Sequence, residues 1–119
     1  MQFICYSKCT TCQKAKKWLE DNNIPFEERA IKEKNPTFEE LSSWLKISKL
    51  PVGKLFNTSG LLYKAENMKE KIKLLSDPEL LAILAKDGMM VKRPILVGDS
   101  FVLFGFKEPE WVENFNVSS

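Results

Sequence analysis

The stretch Ser7-Lys8-Cys9-Thr10-Thr11-Cys12-Gln13-Lys14 sets two cysteines three positions apart, where the hydrophobic pattern changes its period. Before it, Gln2 to Tyr6 is short, mostly apolar and rich in strand formers. After it, Ala15, Trp18 and Leu19 recur at helical spacing, with Lys14, Lys16, Lys17 and Glu20 on the other face. The helix is predicted to stop at Asp21-Asn22-Asn23, ahead of Ile24-Pro25. A strand therefore hands over to a helix at the C-x-x-C, with Cys9 at the helix mouth and Cys12 one turn further in.

That placement has chemical consequences. The first turn of a helix carries N–H groups without intrahelical partners and the positive end of the macrodipole. A thiolate at Cys9 is stabilised there, which moves a free thiol near 8.5 into a range of roughly 3.5–7.5. Lys8 and Lys14 add positive charge, and a Thr10 or Thr11 hydroxyl is placed to donate to the sulfur. Cys12 falls on the same side of the helix, within reach for a small disulfide. Cys9 is the expected attacking sulfur and Cys12 the resolving one.

Other uses of a C-x-x-C fit less well. A structural zinc site wants four ligands, and this chain has three cysteines and no histidine. A purely structural disulfide belongs in an oxidising compartment, whereas the N-terminus enters strand pattern directly, without a signal peptide. Cys5 alternates within the apolar strand and is expected to be inert. The expected location is cytoplasmic. A net charge of +2 implies no nucleic-acid surface. No run of about 18 apolar residues is present to span a membrane. At 119 residues the chain is expected to form one domain with its own core, working as a monomer.

The remaining chain follows a readable order. Phe26 to Ile31 reads as a second strand, which makes a βαβ unit with parallel pairing over residues 1–34. Thr37 and Glu40 match a capping box, and Phe38, Leu41, Trp44 and Leu45 supply the apolar stripe of the next helix. A turn at Asn57-Thr58-Ser59-Gly60 is expected to start a short helix, and Lys69 to Leu75 reads as a basic helix. Ser76 and Glu79 form a second capping signature with Pro78 in the first turn, and Gly88 is expected to be the C-cap glycine of that helix. Residues 35–88 thus read as a helical insert. Arg93 to Gly98 and Phe101 to Gly105 form a predicted antiparallel hairpin around Gly98-Asp99-Ser100. Pro109 to Phe115 makes the last helix, and residues 116–119 are expected to fray.

This order predicts an α/β chain of thioredoxin-like fold with a mixed central sheet: βαβ, helical insert, then ββα over residues 89–115. The plan singles out Pro94. A proline entering the third strand behind Arg93 is expected to be cis, exposing backbone beside the cysteines. Arg93 is then expected to aim its guanidinium near Cys9, steadying a thiolate or binding an oxyanion.

Lys8 to Ala15, Leu55 to Gly60, Lys92-Arg93-Pro94-Ile95 and Val102 to Glu108 together resemble the arsenate reductase (ArsC) family, in its Spx/MgsR branch. The resemblance covers residues 1 to about 115. It implies a thiol–disulfide redox protein with Cys9 as nucleophile, Cys12 as its disulfide partner, and Arg93, Lys8, Thr11 and Pro94 shaping the site. No bound cofactor is implied; glutathione, glutaredoxin or thioredoxin would serve as external reductant or mixed-disulfide partner. The family's arsenate reductases cradle the oxyanion with three arginines. Only Arg93 matches here, since Asn57 and Gly105 stand near the other two positions. Losing two charge-assisted clamps weakens arsenate binding. The Spx-type regulators bind the C-terminal domain of the RNA polymerase α subunit, and Gly53 matches the glycine used at that contact, although Ser59 stands near the arginine that accompanies it. A redox-gated transcriptional regulator is therefore the alternative reading.

Overall fold

The computed structural model describes residues 1–116. The order is β1 (Gln2–Cys5), α1 (Thr10–Asp21), β2 (Glu27–Ala30), α2 (Phe38–Ser48), a 3-10 turn (Val52–Leu55), α3 (Leu61–Ala65), α4 (Met68–Leu74), α5 (Asp77–Lys86), a second 3-10 turn (Gly88–Met90), β3 (Ile95–Val97), β4 (Val102–Phe104) and α6 (Glu108–Phe115). The four strands form one sheet in the order β2-β1-β3-β4. β1 runs parallel to β2, while β1–β3 and β3–β4 are antiparallel. This is the mixed sheet and the βαβ, helices, ββα order of a thioredoxin-like fold.

Strand alternation divides the core between the two faces of the sheet. Phe3, Cys5, Leu96 and Leu103 point towards α1 and α6, where they meet Cys12, Ala15, Leu19 and Trp111. Ile4, Ile95 and Phe104 belong to the other core, with Leu41 and Trp44 of α2 and Leu80, Leu81 and Leu84 of α5. Trp111 is fully buried in the first core and packs edge-on against Trp18 and Phe106, at 5.8 and 4.8 Å between ring centroids. A fully buried side chain of this kind contributes about 1.5–3 kcal/mol by area alone.

β2 is a polar edge strand, Glu27-Glu28-Arg29-Ala30, without a buried residue, and owes its place to charge as well as to pairing with β1. Arg29 grips Glu40 of α2 bidentately, Nη1 to Oε2 at 2.8 Å and Nη2 to Oε1 at 2.9 Å. Its Nε and Nη2 also donate to the carbonyls of Lys34 and Asn35. Glu40 is at the same time the third residue of the capping box, accepting from the Thr37 N–H. The Arg29 guanidinium holds the Glu40 carboxyl down at about 2. Strand edge, connecting loop and helix start are thereby tied through one carboxylate.

Both predicted capping boxes are present, at Thr37/Glu40 and Ser76/Glu79. The C-terminus of α5 departs from expectation. Gly88 is not its cap: Asp87 is the C-cap, in extended conformation, and Gly88 opens the second 3-10 turn without a positive φ. The Asn35 side chain instead donates to the carbonyls of Ala85 and Leu84, at 3.0 and 3.4 Å. Gly88 is needed for close approach, because a Cβ there would stand 2.9 Å from the Ile31 carbonyl and 2.7 Å from Asn35 Oδ1. Of the residues expected to fray, Asn116 caps α6 in the left-handed region, and residues 117–119 lie outside the described residues. Among the described residues, no helix is long and apolar enough to cross a membrane.

Candidate functional site

Cys9 is the N-cap of α1, with φ −94° and ψ 117°, so its thiol sits at the open end of a 12-residue helix. The Cys9 N–H donates to the Tyr6 carbonyl at 3.0 Å, and the Gln13 side chain donates to the Ser7 carbonyl at 3.1 Å. These two bonds fold the Ser7-Lys8 corner back and fix the cysteine. The first turn contains no acidic residue, so nothing on the helix opposes a negative sulfur.

The two cysteines have different surroundings. Cys9 is half-buried, whereas Cys12 is 2% exposed and accepts a hydrogen bond from the Tyr6 N–H at 3.4 Å. Burial pulls the Cys9 thiol up, but the Cys12 backbone N–H, the Cys12 thiol and the Arg93 charge together bring it below an ordinary thiol. Burial pushes Cys12 up to about 12, and the neighbouring Cys9 adds to the effect. The two sulfurs are thus pulled in opposite directions. All three cysteines are thiols.

Cys5 lies behind this pair. Its thiol donates to Glu28 Oε2 at 3.5 Å, and Glu28 is in turn paired with Lys16 at 2.9 Å. Burial and this carboxylate hold Cys5 near 12, which keeps it a neutral thiol at ordinary pH. That agrees with the inert role expected from its place in the strand.

The Arg93–Pro94 peptide bond is cis, as the sequence led us to expect. Arg93 lies over the Tyr6 ring, 5.2 Å from its centroid, and its Nη1 donates to the Met89 carbonyl at 3.3 Å. Its buried Nε has no hydrogen-bond partner among the described residues. Met89 and Tyr6 therefore hold the guanidinium in place while leaving a donor unused.

A cleft of about 280 Å³ opens at Cys9, lined also by Thr11, Asn57, Lys92, Arg93 and Lys107. Lys92 and Lys107 are not apparent as site residues from the sequence. They reach the cleft from the open end of the β3–β4 hairpin, one before β3 and one after β4. Lys92 gets there because Gly105 has no side chain: φ is +80°, and a Cβ would stand 2.6 Å from Lys92 Cε. Gly105 stands where the family resemblance implies a positive charge, and Lys92 brings a cation to that place. Asn57 is carried in by a short antiparallel bridge, with the Asn57 N–H donating to the Met90 carbonyl and the Lys92 N–H to the Leu55 carbonyl, both at 2.8 Å.

The other expected contributors are placed differently. Lys8 is exposed and does not line the cleft. Thr11 does line it, but neither the Thr10 nor the Thr11 hydroxyl is bonded to sulfur among the described contacts; Cys12 and Arg93 take that part. Gly53 is outside the cleft, half-buried in the first 3-10 turn, where a Cβ would press on Ile72 of α4 at 3.3 Å. Among the described residues, no group of three or more Cys, His, Asp or Glu is placed to hold a metal ion.

Comparison with known proteins gives a consistent result. Residues 5–115 match the model of the ArsC family. The uncharacterized protein YusI of Bacillus subtilis is 44% identical over 115 residues, spanning 97% of this chain and 98% of YusI. The regulatory protein MgsR of the same organism is 30% identical, over 92% of this chain and 86% of MgsR. The global transcriptional regulator Spx of Staphylococcus epidermidis is 30% identical, over 86% of this chain and 76% of Spx. Among solved structures, an ArsC family related protein from Bacteroides fragilis superposes with a TM-score of 0.91 at 49% identity, covering 94% of this chain and 96% of that one.

Proposed function

The chain belongs to the ArsC family, and from that we propose that it is a thiol–disulfide redox protein in which Cys9 attacks and Cys12 resolves. The observation that carries this reading is the contrast between the two thiols: Cys9 accessible and lowered, Cys12 buried and near 12. A pair so divided gives direction to exchange. The Cys9 thiolate attacks one sulfur of a substrate disulfide, forming a mixed disulfide and releasing the other sulfur as thiolate. Cys12 then loses its proton and attacks the Cys9 sulfur, expelling the substrate's second thiolate and leaving a 9–12 disulfide. Two electrons have passed to the substrate, and an external thiol such as glutathione, glutaredoxin or thioredoxin returns them. No bound cofactor enters these steps. Arg93 acts through its charge on the Cys9 sulfur, with the Pro94 backbone beside it.

Arsenate reduction is not part of the proposal. The cleft offers one guanidinium and two ammonium groups, and ammonium groups do not form the bidentate fork that arginine gives an oxyanion. A second reading, that of a redox-sensing regulator, draws on the likeness to MgsR and Spx. In that case the 9–12 pair gates binding to the RNA polymerase α subunit through the surface around Gly53. A complex that forms with purified α subunit in only one redox state, without disulfide turnover, favours the regulator.

The direct test is equilibration in buffers of oxidised and reduced dithiothreitol, followed by alkylation and peptide mapping. One two-electron transition with a 9–12 bond and Cys5 still alkylated is expected. A bond that includes Cys5, or thiols that stay reduced throughout, contradicts the proposal.

A further inference from the structure

The Cys9 cleft has a neighbour. A hollow of about 510 Å³, walled by Gly60, Leu61, Leu62 and Met89, shares Asn57, Ser59 and Arg93 with it. The two form one continuous groove with contrasting halves. Around the thiol, Lys92, Arg93 and Lys107 supply three positive charges, and among the described residues no carboxylate lines that half. Beyond Asn57 the wall is apolar. Leu61 is 85% exposed and Leu62 38%, on a helix, α3, that buries none of its own residues. Leu61 is almost wholly in water, and with the exposed part of Leu62 it offers apolar area beside the thiol to whatever covers it.

We infer that this groove takes a cysteine-bearing peptide segment with acidic residues on one side of its cysteine and bulky apolar residues on the other. The inference rests on the thiol–disulfide reading above and names its substrate class. Charge complementarity selects the acidic flank, since three cations around the point of attack favour approach of an anion and repel a basic one. Burial of Leu61 and Leu62 selects the apolar flank. The size of the groove favours a peptide, because a small thiol that filled the 280 Å³ half would leave the larger half empty. In the first step the Cys9 thiolate bonds to the peptide's cysteine sulfur and the thiolate previously attached to that sulfur departs. Cys12 then releases the peptide as a thiol.

The test uses synthetic pentapeptides whose central cysteine carries thionitrobenzoate as a mixed disulfide, so that each attack releases a coloured thiolate. One set has Asp-Asp before the cysteine and Leu-Leu after it, and a second reverses that order, because the direction of the bound segment is open. Two further sets replace Asp-Asp with Lys-Lys, or Leu-Leu with Ser-Ser. Stopped-flow rates with the full chain are compared with free cysteine as attacking thiol. At low salt, one of the acidic–apolar orders is expected to react at least about tenfold faster than its lysine and serine counterparts. The Lys92→Ala/Lys107→Ala variant is expected to lose the preference for aspartate, and Leu62→Ser the preference for leucine. Rates that all exceed free cysteine but do not differ among peptides overturn the inference and leave the thiol–disulfide reading intact. Rates no faster than free cysteine with every peptide overturn that reading, and the inference with it.

Discussion

Replacing Cys9 with serine is expected to abolish disulfide exchange, although a second cysteine remains three residues away. Burial, the largest cause of its raised pKa, remains when Cys9 is gone, so Cys12 stays mostly protonated at neutral pH. Its 2% exposure also restricts access, so Cys12 alone should react far more slowly than a free thiol. Cys12→Ser should behave in the opposite way. Attack by Cys9 survives within a few-fold, since the thiolate still has the helix terminus and Arg93 beside it, but the reaction halts at the mixed disulfide. Cys5→Ser should leave both steps in place, because burial and Glu28 already hold that thiol neutral. Quenched-flow alkylation with intact mass spectrometry separates the three outcomes. A Cys9→Ser protein that exchanges at wild-type rate would contradict the assignment of roles.

The second large effect lies in the core beneath the site. Trp111→Ala is expected to cost about 3–5 kcal/mol, from lost transfer energy and from the cavity left between α6 and α1. Small domains have about 5–15 kcal/mol in total, so this variant should melt many degrees lower or unfold at ambient temperature. Trp111→Phe should cost much less. It keeps an aromatic ring against Trp18 and Phe106, and it removes an indole N–H that is buried without a partner among the described residues. Thermal denaturation followed by far-UV circular dichroism measures both. Equal losses for the alanine and phenylalanine variants would mean that the indole N–H is satisfied and matters more than ring packing.

Much of this architecture is legible in the chain because its signals are local. The change of period at Cys9, the Thr37/Glu40 and Ser76/Glu79 boxes and the hairpin around Gly98 each depend on a few adjacent residues. The cis bond at Pro94 was expected from topology alone. What escaped is non-local. Lys92 and Lys107 are fifteen positions apart and meet at the cleft only because β3 and β4 fold back on each other. Gly105 could have been read as a clue to Lys92, since a glycine at the end of a strand signals close approach of another group. Gly88 misleads because a glycine after a helix usually marks a left-handed cap, while here Asn35, fifty positions before Ala85, satisfies the helix end. Lys8 is adjacent to Cys9 in sequence but exposed, and the cations that line the cleft come from distant parts of the chain.

In the proposed exchange, environment sets Cys9 and Cys12 to opposite tasks. The most direct measurement is the pH dependence of alkylation at each cysteine, resolved by mass spectrometry, in the wild-type protein and in Arg93→Ala. Cys9 is expected to titrate below an ordinary thiol and to move upward when the arginine is removed, while Cys12 stays unreactive across the neutral range. A single titration shared by both cysteines at the ordinary thiol value, unchanged by Arg93→Ala, would contradict it.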